Sequence, residues 1–176
     1  MKKLLIVVDM QNDFIDGSLG SKEAQAIVPN VVKKIKEWDG DIICTLDTHG
    51  ANYLETREGK YLPVEHCIAG TNGHDINNEV FDSLVFCNGS SANLLNKYTF
   101  GSTALPEIIR GSGVDYVELV GLCTDICVVS NAMLLKAHYP EMEIAVDASC
   151  CAGVTPESHQ AALTTMKMCQ INVIGE

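Results

Sequence analysis

A three-layer α/β/α sandwich built on a mainly parallel central sheet is the fold this sequence predicts. Three observations carry it. Short, continuously apolar runs rich in branched residues recur along the chain, as in strands buried on both faces. Segments of helical period lie between them, so strand and helix alternate. No internal repeat, linker or low-complexity stretch breaks the alternation. The 176 residues suit a single domain spanning 1–176, with room for one full core.

The elements follow in order. Lys3 to Asp9 (KLLIVVD) reads as a buried parallel strand. Gln11 to Ser21, rich in Gly, Ser, Asn and Asp, reads as a loop. Ala24 to Trp38 carries Ile27, Val31, Ile35 and Trp38 on one helical stripe. Asp41 to Asp47 (DIICTLD) is a second buried strand, which completes a βαβ unit. Thr48 to about Asn78 has no clean period, and a structureless stretch of that length in a compact domain is usually functional. Ser83 to Cys87 reads as a short strand and Thr103 to Arg110 as a short helix. Tyr116 to Val120 is a strong strand, followed by a helix from Asp125 to His138 with Ile126, Val129, Met133 and Ala137 on its inner side. Glu143 to Asp147 is a strand. Thr155-Pro156-Glu157 starts a helix, with Thr at the N-cap, Pro at the first position and an acid in the first turn. That helix runs to about Cys169 with Ala162, Met166 and Cys169 inward, and Ile171 to Ile174 closes the sheet.

The net charge of −11, from 23 acidic and 12 basic residues, sets an acidic surface that repels phosphate backbones. Nucleic acid is therefore not an expected partner. The apolar run Leu4 to Val8 is too short to span a bilayer or to form a signal-peptide core. The expectation is a cytoplasmic protein with no membrane partner. Eight cysteines, at 44, 67, 87, 123, 127, 150, 151 and 169, are then reduced thiols, most of them small buried hydrophobes.

Three strands end in reactive residues. The first ends in Asp9, the second in Asp47-Thr48-His49, and the third runs through Gly121-Leu122-Cys123-Thr124-Asp125-Ile126-Cys127-Val128 into a helix. In a parallel sheet these ends share one edge, where α/β proteins place their sites. Cys127 falls near a helix start, where unpaired N–H groups and the macrodipole favour a thiolate and can hold an oxyanion. Asp9 is the available base. The residues alone leave open a second reading, in which Cys123 and Cys127 are core thiols four apart.

The chain resembles the isochorismatase-like cysteine hydrolases, and within them the nicotinamidases. Three motifs in order carry the resemblance: Asp9 to Phe14 (DMQNDF), Lys97 in Lys97-Tyr98-Thr99-Phe100, and Gly121 to Val128. It implies a Rossmann-like sheet, Asp9 as catalytic base, Lys97 as catalytic lysine and Cys127 as nucleophile. It also implies a cis Leu122–Cys123 peptide, with the N–H groups of Cys123 and Cys127 as the oxyanion hole. A divalent metal follows too, held by Asp47, His49 and His66 with Glu58, or Glu55, as a further carboxylate. Such a donor set suits zinc, iron or manganese. Phe14, Leu62 and Leu122 would face the substrate. Leu62, before Pro63, departs from the family, which carries an aromatic there. The expected partner is a small amide, in a protein that self-associates. The alternatives are another amide or carbamoyl compound, or a thiol-rich redox or metal-binding protein suggested by the vicinal Cys150-Cys151.

Overall fold

The computed structural model describes residues 1–85 and 92–176. Six strands are described: β1 (Lys3–Val8), β2 (Asp41–Asp47), β3 (Asn93–Lys97), β4 (Tyr116–Leu122), β5 (Glu143–Ala152) and β6 (Asn172–Ile174). They form one sheet in the order β3-β2-β1-β4-β5-β6, every pair parallel. The order reverses between β1 and β4, so the carboxyl ends of those two strands border the crevice where such sheets bind ligands. Gly121 sits at this seam with φ +113°, and a Cβ there would lie 2.1 Å from the Val8 carbonyl oxygen. Only glycine lets β4 approach β1 so closely.

Strand side chains alternate between two cores. Leu5 and Val7 face α2 (Lys22–Glu37) and α4 (Asn78–Val85); Leu4, Ile6 and Val8 face α5 (Ala104–Ile109), α6 (Val129–His138) and α7 (Pro156–Met168). The result is the expected three layers. Helix α2 buries Ala24, Ile27, Val28, Val31 and Ile35, and its N-cap Ser21 accepts a hydrogen bond from the Ala24 N–H. Helix α7 begins as expected, with Thr155 capping and Pro156 at its first position.

Several local expectations give way. The stretch Gln11 to Ser21 contains a short helix α1 (Asn12–Ile15), which buries Phe14 and Ile15. The aperiodic Thr48 to Asn78 holds a 3-10 turn (Tyr53–Glu55) and α3 (Arg57–Tyr61). Ser83 to Val85 lie in α4 rather than in a strand, because Val80 and Leu84 place that segment's apolar residues on one helical face; Phe86 and Cys87 lie outside the described residues. Strand β3 has no apolar signature: it is an edge strand whose residues are mostly exposed until Lys97. The buried face of α6 is Ala132 and Leu135 with Asn131, and a π-helical turn over Thr124–Val128 precedes it. That turn advances the register, so Ile126, Val129 and Met133 fall on the flank and Ala137 is exposed. Strand β5 runs five residues past Asp147, with a register break opposite Leu119 and Gly121. Cys169 is a half-buried C-cap rather than an inward residue.

Candidate active site

The ends of β1, β2, β3 and β4 bring four charged or reactive groups together beneath one cavity. Asp9, immediately after β1, takes a left-handed φ of +47°. This conformation is uncommon for a side-chain-bearing residue but tolerated by Asp. Thr45 Oγ1 donates to Asp9 Oδ1 at 2.7 Å, while Oδ2 lies 2.7 Å from Lys97 Nζ as an ion pair off hydrogen-bond alignment. Lys97, the last residue of β3, is 2 % exposed. Its ammonium also donates to Asp47 Oδ1 at 2.9 Å, to the Thr99 carbonyl at 3.2 Å and to Cys127 Sγ at 3.4 Å. Burial alone would lower the lysine pKa, but the charge of Asp9, with that of Asp47, outweighs it and holds the group charged.

Cys127 lies inside the π turn, 5 % exposed. Such turns recur where helices carry functional groups. Desolvation works against the thiolate expected from the helix start. Burial, then the charge of Asp9, push the thiol well above its ordinary value, and Lys97 pulls the other way without winning. Burial also raises the Asp9 carboxyl, against Lys97. Thiol and carboxylate therefore form a coupled pair with high proton affinity on both sides. The Leu122–Cys123 peptide is cis.

Asp47, His49, Glu58 and His66 each offer one donor atom, and the four atoms lie within 4.8 Å of one another. His49 Nε2 is 2.8 Å from Asp47 Oδ2 and 3.6 Å from Glu58 Oε1; His66 Nε2 is 3.6 Å from both. Donors about 2.0–2.2 Å from one ion stand roughly 3.0–3.6 Å apart as neighbours in its shell, so these residues fit a divalent metal. His66 Nδ1–H donates to the Val64 carbonyl at 2.8 Å, which leaves Nε2 free to ligate. Glu55, the alternative carboxylate, is exposed on the 3-10 turn and outside this group. Burial would raise the Asp47 carboxyl, but contacts from His49, His66 and Lys97 hold it well below the usual range. Asp47 thus touches the lysine through one oxygen and the histidines through the other.

A cavity of about 490 Å³ opens onto these groups. Phe14, Leu62 and Leu122 line it, as do Cys123, Cys127, Asp47, Glu58 and His66. The remaining wall is apolar apart from Ser21, with Leu19, Phe100, Ile126 and Val154 prominent.

A sequence model of the isochorismatase domain matches residues 3–175. This chain belongs to the isochorismatase family. Among curated relatives, the nicotinamidase/pyrazinamidase of Mycobacterium tuberculosis is 27 % identical, with 98 % of each chain covered. A protein of Arabidopsis thaliana described as a probable inactive nicotinamidase is 30 % identical, covering 93 % of this chain and 87 % of its own. Among solved structures, the pyrazinamidase of Pyrococcus horikoshii in complex with zinc superposes with a TM-score of 0.81 at 29 % identity, over the full length of both chains. The family and its amide-cleaving members identify the protein as an amidohydrolase.

Four buried residues of this isochorismatase-family site escaped the sequence reading. Gln11 clamps the Asp47 backbone, donating to its carbonyl at 2.9 Å and accepting from its N–H at 2.7 Å. Thr45 orients Asp9. The Tyr53 ring packs edge-on against His49 and His66, and its hydroxyl donates to the Leu62 carbonyl. Asn131 binds the Cys127 carbonyl. The position of Gln11 inside the DMQNDF motif is the only sequence signal any of them gave.

Proposed function

We propose that this amidohydrolase cleaves the C–N bond of a small uncharged amide through a Cys127 thioester, in the manner of a nicotinamidase. One observation carries the reading: a single apolar cavity is bordered by a buried thiol, with the Asp9–Lys97 pair against that thiol and a candidate metal centre alongside. The proton balance follows from the electrostatics. The resting thiol is neutral, so Asp9 takes its proton as the sulfur attacks the carbonyl carbon. Lys97, close to both Asp9 and the sulfur, faces negative charge wherever it resides, before and after transfer. The N–H groups of Cys123 and Cys127 hold the oxyanion. Protonated Asp9 then gives its proton to the departing ammonia. A water that loses its proton to Asp9 opens the thioester, the acid is released, and Asp9 returns that proton to the departing Cys127 sulfur.

Asp47, His49, Glu58 and His66 would hold the metal, and zinc suits this mixed imidazole–carboxylate set, as would iron or manganese. When bound, it supplies a Lewis-acidic point for a lone pair on the substrate.

The lining also selects among amides. Among the described residues it contains no Lys or Arg, and its acidic residues, Asp47 and Glu58, would offset the charge of a divalent ion. A substrate carrying a carboxylate away from the reacting carbonyl would meet no basic Lys or Arg side chain of the described lining, only an ion whose charge two carboxylates already offset, which disfavours carbamoyl acids. Because one relative is described as inactive, ammonia release is the deciding measurement. Zinc-loaded protein should release ammonia from nicotinamide or another neutral amide, and Cys127→Ala should release none. Silence across a panel of neutral amides, with metal supplied, would sink the amidase reading.

A further inference from the structure

We propose that Asn131 is a positioning residue that fixes the reactive sulfur against Lys97, an inference that rests on Cys127 being the nucleophile. Asn131 is the third residue of α6 and has no exposed surface. Its amide makes three hydrogen bonds. Nδ2 donates to the Cys127 carbonyl at 2.8 Å and to the Phe100 carbonyl at 3.3 Å, and Oδ1 accepts from the Ser102 N–H at 2.8 Å. The partners fix the amide's orientation, because two are acceptors and one is a donor.

These bonds join two segments that otherwise meet, among the polar side-chain contacts of the described residues, only at the Lys97–Cys127 pair itself. One is the π turn that carries Cys127. The other is the chain leaving β3, which carries Lys97, presents the Thr99 carbonyl to its ammonium, and places Phe100 on the cavity wall. The sulfur and the ammonium sit on opposite sides of this junction, 3.4 Å apart. A buried helical Asn that bonds both sides is costly unless every bond is made, and here both N–H groups and the oxygen are used. A displacement of about 1 Å in a reacting group can reduce rate about 100-fold.

The test compares Asn131→Ala and Asn131→Asp with Leu135→Ala. Leu135 is equally buried one turn along α6 and contacts neither segment's carbonyls in the way Asn131 does. Asn131→Asp keeps an acceptor for Ser102 while losing the donors, and it serves if Asn131→Ala does not fold. Two readouts are taken per folded molecule: kcat and KM for nicotinamide or another cleaved amide, and the pH dependence of Cys127 alkylation by iodoacetamide. The expected result is a fall in kcat of at least about 30-fold with KM within about twofold, and a displaced alkylation profile. Leu135→Ala should lose stability while retaining both wild-type readouts. Wild-type kcat and an unmoved alkylation profile in the Asn131 variants would overturn the proposal, as would losses that merely track stability as in Leu135→Ala. If the wild type cleaves no amide, the amidase reading fails. The alkylation profiles still decide the positioning role.

Discussion

At the scale of single residues, proton affinity is set by burial and by one shared cation. Asp9 has no exposed surface, and desolvation raises its carboxyl while Lys97 opposes the rise. A base must be ionised to act, so kcat/KM should fall as pH drops through the Asp9 pKa. Lys97→Met removes the attraction that lowers this value. Its acid limb should therefore move to higher pH, with a loss of at least about 100-fold at neutral pH. An acid limb that stays in place would show that Lys97 does not govern the base. Asp9→Asn separates chemistry from backbone: Asn tolerates the left-handed φ that Asp9 adopts, so the fold should persist while the rate falls about 100- to 10,000-fold. Matching circular dichroism spectra with lost turnover is the expected pair of results. The base and the thiol were legible in the sequence because each follows a strand. Their pKa directions were not, because desolvation depends on neighbours distant along the chain.

At the scale of elements, the layers are joined by charge as well as by apolar packing. Lys34 of α2 reaches Glu118 on β4 and Asp147 on β5, each at 2.7 Å, and Tyr116 donates to the second oxygen of Glu118. Burial would raise the Asp147 carboxyl, but Lys34 and Ser149 hold it below its usual value. Lys34→Met would leave two carboxylates facing each other. Removing one partner of a buried pair costs about 3–5 kcal/mol, and partial exposure of the lysine reduces this to about 2 kcal/mol, or a Tm lower by roughly 4–8 °C. Because the folded Asp147 pKa is depressed, its share of the stabilisation is complete above the unfolded carboxylate pKa of about 4. It is lost as pH falls through the folded value. The Tm difference between wild type and variant should accordingly shrink in acid, and amide hydrolysis should be unaffected. The buried strands and α2 and α7 were readable from period and capping. Strand β3 was not, since an edge strand needs few apolar residues, and the face of α6 was misplaced because a π turn has no sequence period of its own.

At the scale of the whole molecule, the candidate metal site and the thiol are linked through Asp47 and Lys97. The residues His49, Glu58 and His66 come from the aperiodic stretch between β2 and α4, so an ion would tie that stretch to the sheet. Chelation should lower Tm, and zinc, iron or manganese should restore it. A ligand at 100 times its Kd contributes about 2.7 kcal/mol of stability. Calorimetric titration should show Glu58→Gln weakening metal affinity at least about 10-fold while Glu55→Gln leaves it unchanged. Equal effects would remove Glu58 from the site. Among the described residues no helix is long and apolar enough to cross a membrane.

The sequence by itself determined the parallel α/β layers and the family, and it named the residues at the strand ends. Alternation of buried strands with amphipathic helices is a local property, and three ordered motifs are read without coordinates. Only the tertiary structure decided which carboxylate lies with the histidines, which residues wall the cavity and which way burial shifts the thiol. It also disclosed Asn131, Gln11 and Tyr53. Those outcomes depend on contacts between segments tens of residues apart, such as Lys97 with Cys127 and Thr45 with Asp9, and on the loss of water around them. No local pattern encodes a distance or a dielectric, so chain folding had to supply both.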